Sequence, residues 1–160
     1  MIEFKIVDNP EAISQLAKLA FIIWNQHYLP IIGNEQVDYM LDKFQSEDAI
    51  KQQIAEGYQY YLILNNQTQA GYCSVKDKGE KLFLSKLYVV DSCRGKGIGK
   101  QAINFINSSF DNPIIQLTVN KNNSDSIAFY KKIGFKIVDD VETDIGNGFV
   151  MDDYVMEMQN

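Results

Sequence analysis

The chain has 160 residues, of which 46% are hydrophobic and 22% charged, and its formal net charge is −6. That length favours one domain with a sizeable core, and the composition excludes an intrinsically disordered chain. The acidic balance argues against nucleic acid as a partner, and no run of ~18 apolar residues is present to cross a membrane as a helix.

Met1 to Asp8 lacks a basic stretch followed by an apolar one, so no secretion signal is read and a cytoplasmic protein is expected. Ile2 to Val7 alternates apolar and polar residues, as a half-buried strand does. Asn9-Pro10-Glu11 then reads as a capped helix start. Ile13, Leu16, Ala17, Ala20, Ile23 and Trp24 follow at helical spacing, and the helix fades between His27 and Pro30. Val37 to Phe44 is a second helical stretch. Ser46-Glu47-Asp48-Ala49 caps a third, which Gly57 ends.

The period then changes to two. Gln59–Leu64, Gln69–Lys76 and Lys81–Val90 read as antiparallel strands, with turns at 65–67 and 77–79. Gly97 to Phe110 reads as a helix, Ile114 to Val119 as a buried strand, and Ser124 to Ile133 as a helix stopped by Gly134. Phe135–Asp139 and Phe149–Met158 are closing strands. The expected fold is therefore α+β: a mostly antiparallel central sheet flanked by helices, in one domain over 1–160.

Charge is unevenly spread. Residues 81–136 carry nine Lys and Arg against three Asp, between acidic flanks of net −5 and −7. A basic middle suits an anionic ligand. The sharpest signal lies there, in Leu87-Tyr88-Val89-Val90-Asp91-Ser92-Cys93-Arg94-Gly95-Lys96-Gly97-Ile98-Gly99-Lys100. A strand enters a glycine-rich turn that opens a helix. The first amides of a helix lack partners inside it and lie at its positive end. Arg94, Lys96 and Lys100 add charge, and the glycines allow close approach of a diphosphate. The spacing G-x-G-x-G departs from the dinucleotide fingerprint, and Arg94 and Gln101 stand where the triphosphate loop needs Gly and Ser or Thr.

Arg94 to Gly99 resembles the R-G-x-G-x-G turn of GNAT N-acetyltransferases. Asn123, Ile127, Tyr130, Lys132, Gly134 and Phe135 resemble that family's downstream signature, with Ser126 in place of the usual alanine. Gly71-Tyr72, in the strand before the signature strand, also fits the family layout, so the match covers roughly residues 70–136. The resemblance implies acetyl-coenzyme A as cosubstrate and no metal. It implies that backbone groups of Leu87, Tyr88 and Val89 hold the pantetheine arm. The amides from Arg94 to Gly99, through Gly95, Lys96, Gly97 and Ile98, would hold the diphosphate with Lys100 nearby. Asn123 would contact the arm or cap the helix. Tyr130 occupies the family's general-acid position, and a phenol with pKa near 10 suits protonation of a departing thiolate.

Many relatives carry a glutamate on the signature strand. Here Ser85 stands near that place and no carboxylate does, which leaves the base to water, to an acid from elsewhere or to His27, the one histidine. Trp24, Tyr28, Tyr39 and Phe44 are candidate walls for an amine acceptor, since aromatic faces suit cations. The acidic residues Asp139, Asp140, Glu142, Asp144, Asp152 and Asp153 suggest a polyamine, and Gly148 to Asp153 faintly resembles the closing segment of bacterial polyamine acetyltransferases. The expected activity is acetyl transfer to a primary amine of a small molecule or peptide. A non-catalytic acyl-coenzyme A sensor and transfer of a longer acyl group are the alternatives. Relatives often pair as homodimers. Cys73 and Cys93 lack metal-ligand spacing and are expected to be free thiols.

Overall fold

Capped starts and alternating burial set the elements in the computed structural model, which describes residues 1–160. Strand β1 (Ile2–Ile6) leads to α1 (Pro10–His27), where Asn9 accepts from the Ala12 amide at 2.9 Å and Pro10 takes the first position. A short turn of helix, α2 (Leu29–Ile32), precedes α3 (Asn34–Phe44). Ser46 caps α4 (Glu47–Ala55) through the Ala49 amide. Then follow β2 (Gln59–Asn65), β3 (Thr68–Asp77) and β4 (Lys81–Val89). A 3₁₀ turn at Asp91–Cys93 joins β4 to α5 (Ile98–Ser109), followed by β5 (Ile114–Asn120), α6 (Ser124–Ile133), β6 (Lys136–Gly146) and β7 (Phe149–Gln159).

The seven strands form one sheet in the order β1-β2-β3-β4-β5-β7-β6. All neighbours are antiparallel except β4 and β5, which run parallel with α5 as their crossover. The architecture is the expected α+β one, with helices on both sheet faces. On one face α1, α3 and α4 enclose a core that includes Leu16, Ile23, Val37, Ile50, Tyr60 and Leu62. On the other, Ile103 and Ile106 of α5, together with α6, cover Leu82, Leu84, Ile115 and Met156. Each fully buried aliphatic side chain here stabilises by roughly 1.5–3 kcal/mol relative to exposure. No helix is long and apolar enough to cross a membrane.

Two irregularities in the sheet matter for function. The β4–β5 pairing covers only Lys81–Phe83 against Ile114–Gln116, so beyond those residues the strands diverge. In β4, Leu84 pairs with Val75 and Lys86 with Ser74, which leaves Ser85 as an extra, bulged residue. A bulge changes the parity of the side chains after it. Leu82 and Leu84 face α5 and α6, whereas Lys86 reaches Phe44 and Gln53 on the opposite face.

One element is longer than its sequence suggests. The pattern predicts a strand over Phe135–Asp139, and β6 extends to Gly146. Its acidic residues resemble a loop in composition. It lies at the sheet edge, where carboxylates face solvent without cost, and pairing with β7 defines it.

Candidate active site

The turn between β4 and α5 is built as an anion cradle. Gly97 caps α5 in the left-handed region, at φ 76 and ψ 10, and Gly95 has the same φ. Gly99 is required for packing instead: a Cβ there would lie 2.8 Å from Cζ of Phe129. None of the six amides from Gly95 to Lys100 donates to an acceptor in the chain; the helix's first inward bond comes from Gln101 to the Gly97 carbonyl. The Arg94 amide is already given to the Asp91 carbonyl at 3.2 Å, which shifts the free set one residue along from the expected 94–99. The Arg94 side chain lies near Asp91 and the Val89 carbonyl, with Nε 3.5 Å and 3.4 Å away. Lys96 and Lys100 form no ion pair. The donor set suits a diphosphate.

Behind the turn, the divergence of β4 from β5 opens a cavity of about 400 Å³. Phe83 to Tyr88 form one side and Leu117 to Asn120 the other. Helices α1 and α3 close it with Trp24, His27, Tyr28, Met40 and Phe44, and α6 contributes Ser126 and Tyr130. Beyond β4's third residue neither strand finds a partner across the gap, so backbone groups there are available to a ligand.

The polar groups in this wall are unusual in their partners. Asn123 accepts at Oδ1 from the Ser126 amide at 3.4 Å, capping α6, and contacts His27 Nε2 at 3.2 Å. Because Oδ1 is the acceptor in both contacts, Nε2 carries a proton and the neutral ring keeps its lone pair on Nδ1. Burial and then Arg94 lower the His27 pKa from its ordinary value. Tyr130 is buried, its hydroxyl makes no hydrogen bond in the chain, and burial raises its pKa. Tyr28 stacks on Trp24 at 4.3 Å, and burial pushes its phenol up to about 12.

Two ionisable groups in the wall stand out. Lys86 is 6% exposed and faces no carboxylate; its Nζ donates to the Phe44 carbonyl at 2.6 Å, Gln53 Oε1 at 3.1 Å and the Tyr60 hydroxyl at 2.6 Å. Burial pushes its pKa down to about 7. Asp153 is 5% exposed, and its carboxylate has neither a hydrogen bond nor an ion pair. Burial and then the neighbouring Asp152 raise its pKa to about 6, against an opposing pull from Lys121.

The structure gathers most of the expected site residues. Tyr28, Ser85, Leu87, Tyr88 and Arg94 line the cavity, as do Asn123 and Tyr130. The Tyr88 ring packs among Trp24, Tyr28 and Tyr72, so its side chain serves the aromatic wall. Val89 lies outside the lining, and Ile98 points into a small core with Ile63, Ala70 and Ala102. Tyr39 is not in the wall. Its hydroxyl donates to the Ile145 carbonyl at 2.6 Å and ties the β6–β7 hairpin to α3. The exposed acids of β6 also lie outside the cavity, and Lys121 pairs with Asp140 and Asp152 at 2.9 Å and 3.0 Å. Sequence reasoning misses Lys86, although a lone cation inside the apolar stretch Leu82–Val90 is a signal. Asp153 stands out there only within an acidic run; its parity with Phe149 and Met151 marks it as inward-facing.

The profile of the acetyltransferase (GNAT) domain family matches residues 28–158. No curated protein matches the sequence. The structure is similar to that of PaiA N-acetyltransferase from Thermoplasma acidophilum in complex with coenzyme A, at 23% identity and TM-score 0.82, over 100% of this chain and 99% of that one. It is also similar to an acetyltransferase from Thermus thermophilus, at 19% identity and TM-score 0.70, covering 97% and 96%. A GNAT acetyltransferase from Staphylococcus aureus matches at 17% identity and TM-score 0.70, covering 99% of each chain. At these identities the likeness is one of fold. The family match spans most of the chain, and the protein belongs to the GNAT acetyltransferases. It is an acetyl-coenzyme A-dependent acyltransferase acting on amine acceptors.

Proposed function

We propose that this protein moves the acetyl group of acetyl-coenzyme A onto a small primary amine by direct attack, without an acyl-enzyme. The observation that carries the reading is the row of six acceptor-free amides, 95–100, at the mouth of a gap whose inner wall holds an unpartnered phenol. Those amides, with Lys96 and Lys100, grip the diphosphate. The unpaired edge of β4 from Leu87 to Val89 receives the pantetheine arm. Asn123 fixes the start of α6 and so positions Tyr130, two turns further along the same helix face.

Acetyl-coenzyme A supplies an activated thioester. The chain supplies alignment, exclusion of water and proton handling. As the new C–N bond forms and the C–S bond breaks, Tyr130 gives its proton to the sulfur. Its raised pKa keeps the phenol protonated until thiolate charge appears. The aromatic wall of Trp24, Tyr28 and Phe44 and the limited volume favour a small cationic acceptor over a folded protein surface.

Tyr130→Phe tests this. Turnover should fall about 100- to 1,000-fold, within the range for loss of a general acid, while affinity for coenzyme A stays unchanged. Unchanged turnover would remove Tyr130 from the chemistry. A wild-type protein that binds acetyl-coenzyme A but acetylates no amine would support a sensor instead.

A further inference from the structure

Lys121 is the cation whose charge acts on Asp153, and it is committed elsewhere, to Asp140 and Asp152 on the far side of β7. Asp153 therefore sits in the cavity wall as an uncompensated carboxylate. Strand alternation turns it inward with Met151, onto the face where Tyr28 and α1 lie. Its backbone pairs with Asn120, the last residue of β5, so it stands at the rim of the gap that separates β4 from β5. Tyr28 is close enough for the Asp153 charge to oppose ionisation of its phenol. A buried carboxylate with no protein partner is costly to keep unless a cation joins it.

We propose that Asp153 docks the ammonium group of the acceptor and takes the proton that frees its nitrogen for attack. The inference rests on the acetyl-transfer reading above and supplies the base that β4, with Ser85 at its bulge, lacks. The nitrogen of an ammonium acceptor sheds two protons on becoming an amide. The first passes to Asp153 and leaves to solvent with the product. The second replaces, on Tyr130, the proton given to sulfur. The C–N bond forms with the nitrogen lone pair, and the C–S electron pair leaves with the thiolate. His27 is a poorer base, since burial and then Arg94 disfavour its cation.

The charged groups around Asp153 come from three sides. Lys121 follows β5, Asp152 adjoins it on β7, and Asp140 and Glu142 flank its partner Val141 on β6. Tyr28 faces it from the end of α1. Of these, Asp140 and Asp152 both pair with Lys121, so the Asp153 carboxylate's own titration should govern the acidic limb of the rate.

The test uses ethylamine, the simplest alkyl ammonium, with acetyl-coenzyme A, comparing wild type and Asp153→Asn. If Asp153 accepts the proton, wild-type kcat/KM is level from about pH 6.5 up to the pKa of the amine, near 10 as for a lysine. Asp153→Asn reacts only with the free amine, so its kcat/KM is at least about 100-fold lower at pH 7 and climbs tenfold per pH unit over the same interval. Parallel profiles for the two proteins would overturn the proposal. A second measurement does not depend on turnover. In the coenzyme A complex of protein labelled with ¹³C at aspartate carboxyls, the resonance missing from Asp153→Asn should move on adding ethylamine, and its titration midpoint should drop. A resonance indifferent to ethylamine overturns the proposal even if coenzyme A binds. Failure of wild type to bind coenzyme A overturns the acetyl-transfer reading itself, and calorimetry separates that outcome from the other.

Discussion

Lys86 makes the stability of this protein depend on pH in a direction opposite to that of most lysines. The unfolded chain holds the Lys86 proton up to the ordinary value of 10.5, whereas burial lets the folded protein hold it only to about 7. Between those values the unfolded state binds more protons, so stability rises with pH. Below pH 7 both states carry the proton and the full penalty is present. One proton contributes about 1.4 kcal/mol per pH unit, so raising pH from 7.5 to 9.5 should add up to about 2.5 kcal/mol. Three hydrogen bonds to the ammonium work against this, and a gain of about 1 kcal/mol is the smallest the account allows. Other groups titrate in the same interval. Cys73, whose pKa burial raises to about 12, contributes with the opposite sign. Comparing wild type with Lys86→Met cancels them. Urea unfolding of both proteins at pH 7.5, 8.5 and 9.5 gives the two slopes, and the wild type should gain more over the range. Equal slopes would mean that Phe44, Gln53 and Tyr60 solvate the ammonium as well as water does, and would refute the argument from desolvation.

Gly97→Val should weaken coenzyme A binding at least tenfold by calorimetry, whereas Gly97→Asn, which tolerates the left-handed region, should lose much less; open space surrounds a Cβ there, so the difference is conformational. Asn123→Ala should lose about 1 kcal/mol of cap energy, seen as a fall of about 2–4 °C in Tm, and should lower the His27 pKa further in an NMR titration, because the contact with Asn123 raises it. Tyr39→Phe should lower stability by about 1 kcal/mol through its lost bond to Ile145 while leaving KM for amine and coenzyme A unchanged; a raised amine KM would return Tyr39 to the acceptor wall.

The parts legible in the sequence are those fixed by local rules. Helix α6 is legible to the residue because Asn123 caps it and Gly134 stops it, both signals within a few positions. The cradle is legible for the same reason: strand, glycines and helix start are contiguous. What escapes depends on pairing across distance. Asp153 reaches the gap because β7 inserts between β5 and β6, a placement that no local pattern in Asp152-Asp153 encodes. Lys86 turns toward Phe44 and Tyr60 because Ser85 bulges, and in a strand apolar on both faces the shift of phase has no alternating polar residues to mark it. Tyr39 is aromatic and near the expected wall in sequence, yet the hairpin it ties down lies over 100 residues away. The acidic run after Phe135 reads as one attractive surface; the sheet divides it into exposed edge residues on β6 and a single buried carboxylate on β7.

In the proposed reaction the diphosphate is held by the amides of residues 95–100. A ¹H–¹⁵N spectrum of the labelled protein, followed during titration with coenzyme A and separately with pantetheine, addresses them one by one. Coenzyme A should shift all six amides, and pantetheine, which lacks the diphosphate, should shift the β4 edge near Leu87 and leave the six in place. Coenzyme A binding that leaves the amides of 95–100 unmoved would contradict the account.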